Sequence, residues 1–423
     1  MQMKKIITFL LACAMAVSIT ACKKNTDNNT SSGGENTLTL FVNGFLTPPE
    51  DQQFVKEEIL PGFEEEFHCK VKMEVYSTAD GKKSIQTQMS SNNIVTDVVM
   101  VHSGDMPAYV KAGWIEDITD FSKGLTGRTF TDAFTASTVI DGRTYFVPTS
   151  SDVYLIAAHK EALKYLPEGA DFNKLTYDQF VAFAVNAAKG EKKGVTVFPS
   201  LAGKNLLYEI GAMGLSYGAD FPKLDGAEMT QVWDCIRKLA ENNAFVATQS
   251  TAADPNEIMK RGEALIGIGH MSPIGNLYQS APEQYVIAAP PSGPKGIGSI
   301  GGAWGLGVVK GAKNAELGKK LIEYLSRPDV MYDYCVGLGG AVPPVNEVAD
   351  RLKADPQDVI MQKGLEVLKN GVISGVPSSD FTEWGAVKTL YENIFESIVK
   401  NKTYKASDLT EAQNKLEALR NPS

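Results

Sequence analysis

Alternation of short apolar segments with helical patterns constrains the fold of this chain more than any other feature of its sequence. Residues 37–42 have strand composition, and residues 71–76 alternate between apolar and polar side chains, as a half-covered strand does. Residues 97–101 form a continuous apolar run, which is typical of a strand covered on both faces. Helical patterns lie between these strands at 51–67, with a break at its proline, and at 83–91. This order predicts a parallel α/β sheet whose ligand-facing loops follow the carboxyl ends of the strands.

The same kind of pattern continues beyond this first region. Thr176 is followed three residues later by Gln179, a capping box that predicts the start of a helix. Residues 264–268 and 304–309 have strand character, and residues 316–325 have the spacing of an amphipathic helix. The length of 423 residues predicts two or three domains of ordinary size.

The first residues have the pattern of an export signal. Two lysines, Lys4 and Lys5, precede the apolar run 6–17, which is shorter than the roughly 18–20 apolar residues that a membrane-spanning helix needs. We therefore expect residues 1–21 to be a signal peptide. A buried amino-terminal helix is the alternative, but the polar residues 23–34 argue against it because they cannot bury apolar surface.

The signal ends in a short sequence that resembles a bacterial lipobox. Residues 19–22 are an aliphatic residue, two smaller ones and a cysteine, the pattern in which cleavage leaves the cysteine lipidated. Cys22 is accordingly the predicted lipidation site, and residues 22–36 are the predicted flexible tether. The expected location is the extracytoplasmic face of the cell membrane, with the lipid as the only membrane contact.

Charge and cysteine content exclude some other classes of protein. Lysine and arginine number 41 against 50 aspartates and glutamates, a formal net charge of -9, which does not suit broad electrostatic binding of nucleic acid. Cys69, Cys235 and Cys335 are widely spaced, so they predict neither a disulfide framework nor a zinc site. Small buried core residues are the simpler interpretation.

Motifs for catalysis or cofactor binding give little support to an enzyme. The four histidines stand alone, and there is no zinc-protease, nucleophile-elbow or Walker motif. Residues 296–301 match Gly-x-Gly-x-x-Gly, but a dinucleotide fold places that motif between a strand and a helix. Here it follows a proline-rich turn and leads into a strand, which favours a mobile connection. We expect no cofactor, no metal and no catalytic residues.

A series of short motifs is spread along the chain, at residues 96–100, 112–118, 145–148, 175–180, 262–268, 300–304, 340–344 and 383–389. Together they resemble the extracellular solute-binding proteins of ABC importers, in the sugar-binding group that includes maltose-binding protein. The similarity extends over most of residues 37–400. It implies an α/β, two-lobe periplasmic-binding-protein-like fold, with interleaved lobes and a hinge of several chain crossings.

The resemblance also implies where the chain passes between the lobes. Lobe one would comprise residues 37–149 plus 300–343, and lobe two residues 150–299 plus 344–423. The chain is rich in glycine and proline at these junctions, which fits a hinge whose loop residues absorb the backbone rotation.

Candidate ligand-binding residues follow from the family and from sugar chemistry. Sugars stack on aromatic rings and exchange hydrogen bonds with carboxylates and amides. Trp384 falls where the family has a stacking tryptophan, and Lys388 where a relative carries a basic residue. Asp152 falls where maltose-binding protein has an acidic contact. The alternatives are a core anchor for Trp384 and a solvated turn for Asp152.

Other candidates follow the strands or lie at a crossing. Asn43 matches an Asn-Gly loop after the first strand, but Phe45 replaces a polar residue of the relative and would stack instead. Asp105, in the loop after the third strand, is a ligand contact or a loop cap. Trp304, at a crossing, is an exposed stacking residue or a packing residue. The sequence at 271–273 lacks a tryptophan that the relative has. These departures count against maltose itself as the ligand.

The sequence thus predicts a monomeric, lipid-anchored protein that captures a mono- or oligosaccharide and delivers it to an ABC permease. A non-sugar solute is an alternative, such as a polyamine, a phosphorylated polyol or a metal chelate. An enzyme acting on glycans at the cell surface is another, and it would need carboxylates paired at about 5–10 Å across the cleft.

Overall fold

A computed structural model describes the chain in five ranges, 36–46, 48–203, 205–339, 341–377 and 380–421. The predicted signal peptide and Cys22 therefore lie outside the described residues. Within those ranges, no helix combines the length and the apolar character needed to cross a membrane. Cys69, Cys235 and Cys335 are buried and form no disulfide, which confirms their interpretation as core residues.

The strands are short and lie along the whole described chain. They are β1 Asn36–Asn43, β2 Cys69–Tyr76, β3 Val98–His102, β4 Val139–Ile140, β5 Arg143–Thr144, β6 Val147–Ser151, β7 Tyr154–His159, β8 Thr196–Val197, β9 Ile266–His270, β10 Tyr285–Ala288, β11 Ser292–Gly293, β12 Gly296–Ile300, β13 Ala303–Val308 and β14 Gly371–Ser374.

The α-helices of the described residues alternate with these strands. They are α1 Pro49–Phe54, α2 Leu60–Phe67, α3 Thr78–Ser91, α4 Met106–Lys111, α5 Thr119–Lys123, α6 Asp132–Thr138, α7 Tyr177–Glu191, α8 Leu206–Tyr217, α9 Ala227–Glu241, α10 Pro255–Lys260, α11 Met271–Ser280, α12 Ala315–Leu325, α13 Pro328–Gly337, α14 Pro356–Asn370, α15 Trp384–Val399 and α16 Ala406–Ala418.

The first sheet has the strand order β2-β1-β3-β13-β6. β1 is parallel to β2 and to β3, which confirms the predicted parallel arrangement for these strands. β13 is antiparallel to both β3 and β6, so the sheet as a whole is mixed and that part of the prediction is wrong. The reason is topological, because β13 enters this sheet from β12, a strand of another sheet, and runs against its neighbours.

The second sheet has the order β10-β7-β9-β8, and a smaller sheet has the order β11-β12-β14. The chain passes from the first sheet to the second between β6 and β7, and it returns to the first sheet from the smaller one between β12 and β13. A third passage lies where the backbone of Ser151 exchanges two hydrogen bonds with that of Val342, at 3.0 and 2.9 Å. Beyond it, Val345 still bridges to Phe130. The lobe boundaries themselves stay a prediction.

Two local signals can be compared directly with helices of the structure. The capping box of Thr176 and Gln179 is present at the start of α7. The predicted break near Pro61 takes another form, since a π-helical turn at Val55–Ile59 joins α1 to α2 and Pro61 lies in the first turn of α2. This wider turn lets the helix continue through a residue that has no backbone N–H.

The glycine-rich segment 296–301 is a strand, and the prediction of a mobile connection there is wrong. β12 pairs with β11 and β14 and crosses the surface of α8. A Cβ atom on Gly298 would lie 1.9 Å from the carbonyl oxygen of Ala212 in that helix. The glycine is therefore needed for close backbone packing, whereas its sequence context resembles a loop.

This close approach gives a direct test of the fold. Gly298→Ala should lower the free energy of unfolding by about 2–3 kcal/mol, because the added methyl group meets rigid backbone. Gly375→Ala is the matched control, since its Cβ would meet no atom within 4 Å, and it should change stability by less than about 0.5 kcal/mol. Urea unfolding measures both variants; similar stabilities for the two would contradict the packing of β12 on α8.

Candidate functional site

Several predicted ligand-binding residues meet at one edge of the first sheet. β1 and β3 are parallel, so their carboxyl ends share an edge, and β13 begins at that edge because it is antiparallel to β3. Trp304 is the register partner of His102, while Phe45 and Asp105 lie in the loops that follow β1 and β3. Loops at such an edge are the usual place for ligand contacts in α/β proteins.

Phe45, His102 and Trp304 form an aromatic group that we call the lobe-one cluster. The rings of Phe45 and Trp304 are stacked with centroids 4.7 Å apart and an interplanar angle of 25°. The His102 ring meets Trp304 edge-on at 5.0 Å. Trp304 is partly exposed, so it keeps part of its indole at the surface while it packs, and both of the roles considered for it are compatible with this position.

Burial and glycine geometry fix the imidazole of His102. Burial lowers the pKa of His102 to about 4, so the ring is neutral at physiological pH. Its Nδ1 accepts a hydrogen bond from the backbone N–H of Gly104 at 3.1 Å. A Cβ atom on Gly302 would lie 1.7 Å from His102 Nε2. Gly302 therefore leaves the space that this side chain occupies.

Asp105 lies just before α4 but does not cap it, because its side chain makes no capping hydrogen bond. Burial raises the pKa of Asp105, and the charge of Lys82 acts in the opposite direction. The Asp105 carboxyl also raises the pKa of Tyr208, adding to the effect of burial and against a hydrogen bond from Trp384. Asp105 of the first lobe and Tyr208 of α8 thus lie within electrostatic range of each other.

Asn43 is not brought to this surface. Its side chain is 2% exposed and donates a hydrogen bond to the Tyr109 hydroxyl at 2.8 Å. A Cβ atom on Gly81 would lie 1.9 Å from Asn43 Oδ1, so the amide fits against the first turns of α3. The side chain points into lobe one, and its role in ligand binding stays a prediction.

Asp152, which lies between β6 and β7, belongs to a chain of hydrogen bonds. Its Oδ2 lies 3.1 Å from Nδ1 of His270, and Nε2 of His270 is hydrogen-bonded to the Tyr154 hydroxyl at 2.9 Å. The other oxygen, Asp152 Oδ1, is buried and has no hydrogen-bond partner. The alternative of a simple solvated turn does not describe this arrangement, because one carboxylate oxygen is held by an imidazole.

The charge of His270 depends on Asp152. Burial alone would lower the pKa of His270, but the charge and hydrogen bond of Asp152 outweigh it and raise the pKa above the ordinary value of 6.5. Asp254 also raises this pKa, whereas Lys388 lowers it. His270 and Asp152 therefore tend to form an ion pair near neutral pH.

Trp384 begins α15 and joins a second group of rings, the lobe-two cluster, which consists of Tyr208, Phe221, Phe381 and Trp384. The indole N–H of Trp384 donates to the Tyr208 hydroxyl at 3.0 Å. Its ring meets Phe221 at 6.2 Å and Phe381 at 5.4 Å. Trp384 is only partly buried, so it packs against neighbours and still presents indole surface.

Lys388 lies one turn further along α15. Its Nζ is 5.3 Å from the centre of the Tyr208 ring and donates to the carbonyl of Gly203 at 3.3 Å. The ammonium group of Lys388 therefore makes a cation–π contact with Tyr208. Tyr208 also meets His270 edge-on, with ring centroids 6.4 Å apart, and this contact joins the lobe-two cluster to the Asp152 chain.

Three residues at this site carry no sequence signal of their own. His102, Tyr208 and His270 are single residues without a motif, and each is placed by a strand end or a helix start. Only their position could have indicated a role, because His102 and His270 are each the last residue of an apolar strand. In the described part of the chain, no three His, Cys, Asp or Glu side chains are grouped to hold a metal ion.

Comparison with known proteins identifies the family. Residues 59–363, most of the chain, match the family described as bacterial extracellular solute-binding protein. The chain belongs to this family. The resemblance predicted from the motifs is thereby confirmed. No curated protein sequence matches the chain.

Solved structures share the fold of this solute-binding protein. MalE3 of T. maritima, solved with maltose, has 19% identity and a TM-score of 0.69 over 90% of this chain and 99% of that one. MalE of Xanthomonas citri has 16% identity and a TM-score of 0.73 over 91% and 97%. A binding protein of Agrobacterium vitis, solved with D-mannitol, has 16% identity and a TM-score of 0.65 over 90% and 98%. These likenesses confirm the two-lobe α/β fold.

The Asp152–His270 pair predicts a specific pH dependence of stability. Because the folded-state pKa of His270 is raised, the pair stabilises the protein below the unfolded value of about 6.5, and this contribution is lost as the pH rises through the folded-state pKa. Asp152→Asn should therefore lower the melting temperature more at about pH 5.5 than at about pH 8.5. In a His270→Gln background the Asp152→Asn effect should not vary with pH; an equal loss at both pH values in the wild-type background would contradict the pairing.

Proposed function

We propose that this protein is the extracytoplasmic substrate-binding lipoprotein of an ABC importer and that it captures a mono- or oligosaccharide between its lobes. The observation that carries the proposal is the presence of aromatic rings on both lobes beside a carboxylate with an unpartnered oxygen. Phe45, Trp304 and Trp384 would stack on the sugar, and Asp152 and Asp105 would accept hydrogen bonds from its hydroxyl groups.

The charges at the site favour a neutral solute over a polyamine or an anion. The Asp152 carboxylate is paired with His270, and burial raises the pKa of Asp105, so both carboxyl groups are weaker partners for a cation than free carboxylates. Lys388 already donates to a backbone carbonyl. A sugar is uncharged, and it presents an apolar ring face together with donors and acceptors.

Structures of similar fold give the proposal further support. Relatives of this fold were solved with maltose, with α-D-tagatose and with D-mannitol. These ligands are carbohydrates or a sugar alcohol of different size. These ligands support the class of solute, and the particular sugar is left to be measured.

Transport would use the two lobes as a clamp. The three backbone passages near Ser151, Gly301 and Val342 lie together between the sheets, and we propose that they form the hinge on which the lobes close. The closed, monomeric protein would then deliver the solute to the transmembrane subunits of the permease. In this mechanism the site binds and orients the solute, and no bond is made or broken.

A ligand panel tests the proposed class of solute. Maltose, D-tagatose and D-mannitol, each at millimolar concentration, are added to the purified exported protein, and its melting temperature is recorded. A ligand that binds only the folded state must raise the melting temperature, so at least one carbohydrate should produce a shift. Spermidine and citrate serve as cationic and anionic controls; a shift with either of them and with no sugar would replace the sugar assignment.

Truncation of the stacking residue tests the position of the site. Trp384→Ala should raise the Kd of the panel's best ligand at least about tenfold, because a buried aromatic contact is lost, while the ligand-free protein stays folded. Trp114→Ala is the matched control, since Trp114 is partly buried, packs edge-on against Tyr109 and makes no ring contact with either cluster in the described residues. Calorimetry measures both variants, and an unchanged Kd for Trp384→Ala would remove this residue from the site.

The lipid anchor is tested separately on the exporting cells. Cys22→Ser should abolish palmitate labelling and release the protein from the membrane fraction, because two acyl chains on the modified cysteine supply the anchor. Cys13→Ser changes a cysteine within the apolar run of the signal and should leave labelling unchanged. Membrane retention of the Cys22→Ser variant would contradict lipidation at this residue.

A further inference from the structure

We infer that His270 is a positioning residue for ligand binding: it holds one oxygen of the Asp152 carboxylate and leaves the other, Oδ1, as the acceptor for a hydroxyl group of a neutral solute. This inference rests on the proposed function and goes beyond it, because it assigns a chemical requirement to one atom of the site. A solute with a hydroxyl donor at that point would bind, and one with only an acceptor there would not.

The placement of His270 is rigid. His270 ends β9 and is the register partner of Tyr154, the first residue of β7, so the backbones of the two strands fix where both side chains start. The rings of Tyr154 and His270 lie against each other with centroids 4.6 Å apart. The hydroxyl of Tyr154, a fully buried residue, bonds Nε2 of the imidazole. The ring therefore has little freedom to turn, and its Nδ1 faces Asp152.

The two oxygens of Asp152 differ because of this contact. Oδ2 is bound to His270 Nδ1 at 3.1 Å, whereas Oδ1 is buried and has no partner among the described residues. A buried carboxylate oxygen without a donor is unfavourable by more than the net value of one ordinary hydrogen bond. A hydroxyl donor from a bound solute would remove this cost, so the unpaired oxygen gives binding energy to that group specifically.

The charged and titratable groups around His270 are consistent with this role. Asp152 and Asp254 raise its pKa, Lys388 lowers it, and the hydroxyl-bearing rings of Tyr154 and Tyr208 face it. A protonated His270 offsets the charge of Asp152 without occupying Oδ1. The carboxylate thereby keeps its hydrogen-bonding capacity and loses most of its attraction for a cationic solute.

The first experiment needs no ligand. The imidazole titration of His270 is followed by NMR in the exported protein, and the signal is assigned by its loss in His270→Gln. We expect a midpoint above the ordinary value of 6.5 in the wild type and a lower midpoint in Asp152→Asn. An unchanged midpoint in Asp152→Asn would overturn the positioning contact whether or not any sugar binds.

The second experiment separates positioning from a packing role, with maltose, D-tagatose and D-mannitol as probes. Glutamine has an amide that donates and accepts, so His270→Gln should keep the Kd of the bound probe within about threefold. Phenylalanine keeps a ring against Tyr154 but loses both hydrogen bonds, so His270→Phe should raise the Kd at least about tenfold. Equal losses in the two variants, or none in either, would overturn the inference.

Two controls make the outcomes distinguishable. His159 ends β7 at the edge remote from Asp152 and packs edge-on against Tyr285, so His159→Phe should leave the Kd unchanged and shows the effect of the substitution type alone. Melting curves show that each variant is folded. If no probe binds the wild-type protein, the proposed sugar function fails, while the NMR titration still decides whether His270 holds Asp152.

Discussion

The position of β13 in the first sheet is the constraint on which the rest of this structure depends. This strand lies between β3 and β6 and is antiparallel to both, although the strand just before it, β12, belongs to another sheet. The chain must therefore change sheets within Gly301 and Gly302. A Cβ atom at 302 would collide with His102, and one at 301 would lie 3.0 Å from the Asp152 carbonyl. These two glycines therefore allow the change of sheet and leave room for His102 and the backbone of Asp152.

The parts of the fold that sequence predicts are those set by local patterns. The β1, β2 and β3 segments were predictable because each has an apolar pattern next to a helical one. The start of α7 was predictable because Thr176 and Gln179 have the sequence of a capping box. The position of β13 was not, since a strand pattern contains no information about its neighbours or direction. Gly298 misled the prediction for a related reason. The sequence alone does not distinguish a glycine in a loop from a glycine that packs closely under a helix. Only the close approach of Ala212 to Gly298 shows which of the two is present.

Some residues of the candidate site could be predicted from resemblance to the family, and others are recognised only from their contacts in the structure. Trp384 and Trp304 were named from the motif series, and Phe45, Asp105 and Asp152 from loops or crossings where relatives contact ligand. Among them, Phe45 and Trp304 are in direct ring contact. His270 and Tyr208 were missed because a single histidine or tyrosine has many ordinary structural roles. Their importance arises from pairings across strands and helices, such as Tyr154 with His270, that are distant in sequence. The amide of Asn43 was assigned to the loop, but Asn43 is the last residue of β1 and its side chain is buried against Tyr109 and Gly81.

The division of the aromatic rings between lobes has a mechanical consequence. The lobe-one cluster lies at the ends of β1, β3 and β13, and the lobe-two cluster lies on and beside α8 and α15. Under the proposed function, a sugar would contact both clusters in the closed state, and stacking on the second cluster would favour that state over the open one. A ligand shifts a conformational equilibrium only by its difference in affinity for the two states. Because the carboxylates near the clusters are paired or have raised pKa values, this difference must come mainly from ring contact and directed hydrogen bonds. A solute that lacks a ring face or a hydroxyl group at Asp152 would therefore close the lobes less completely.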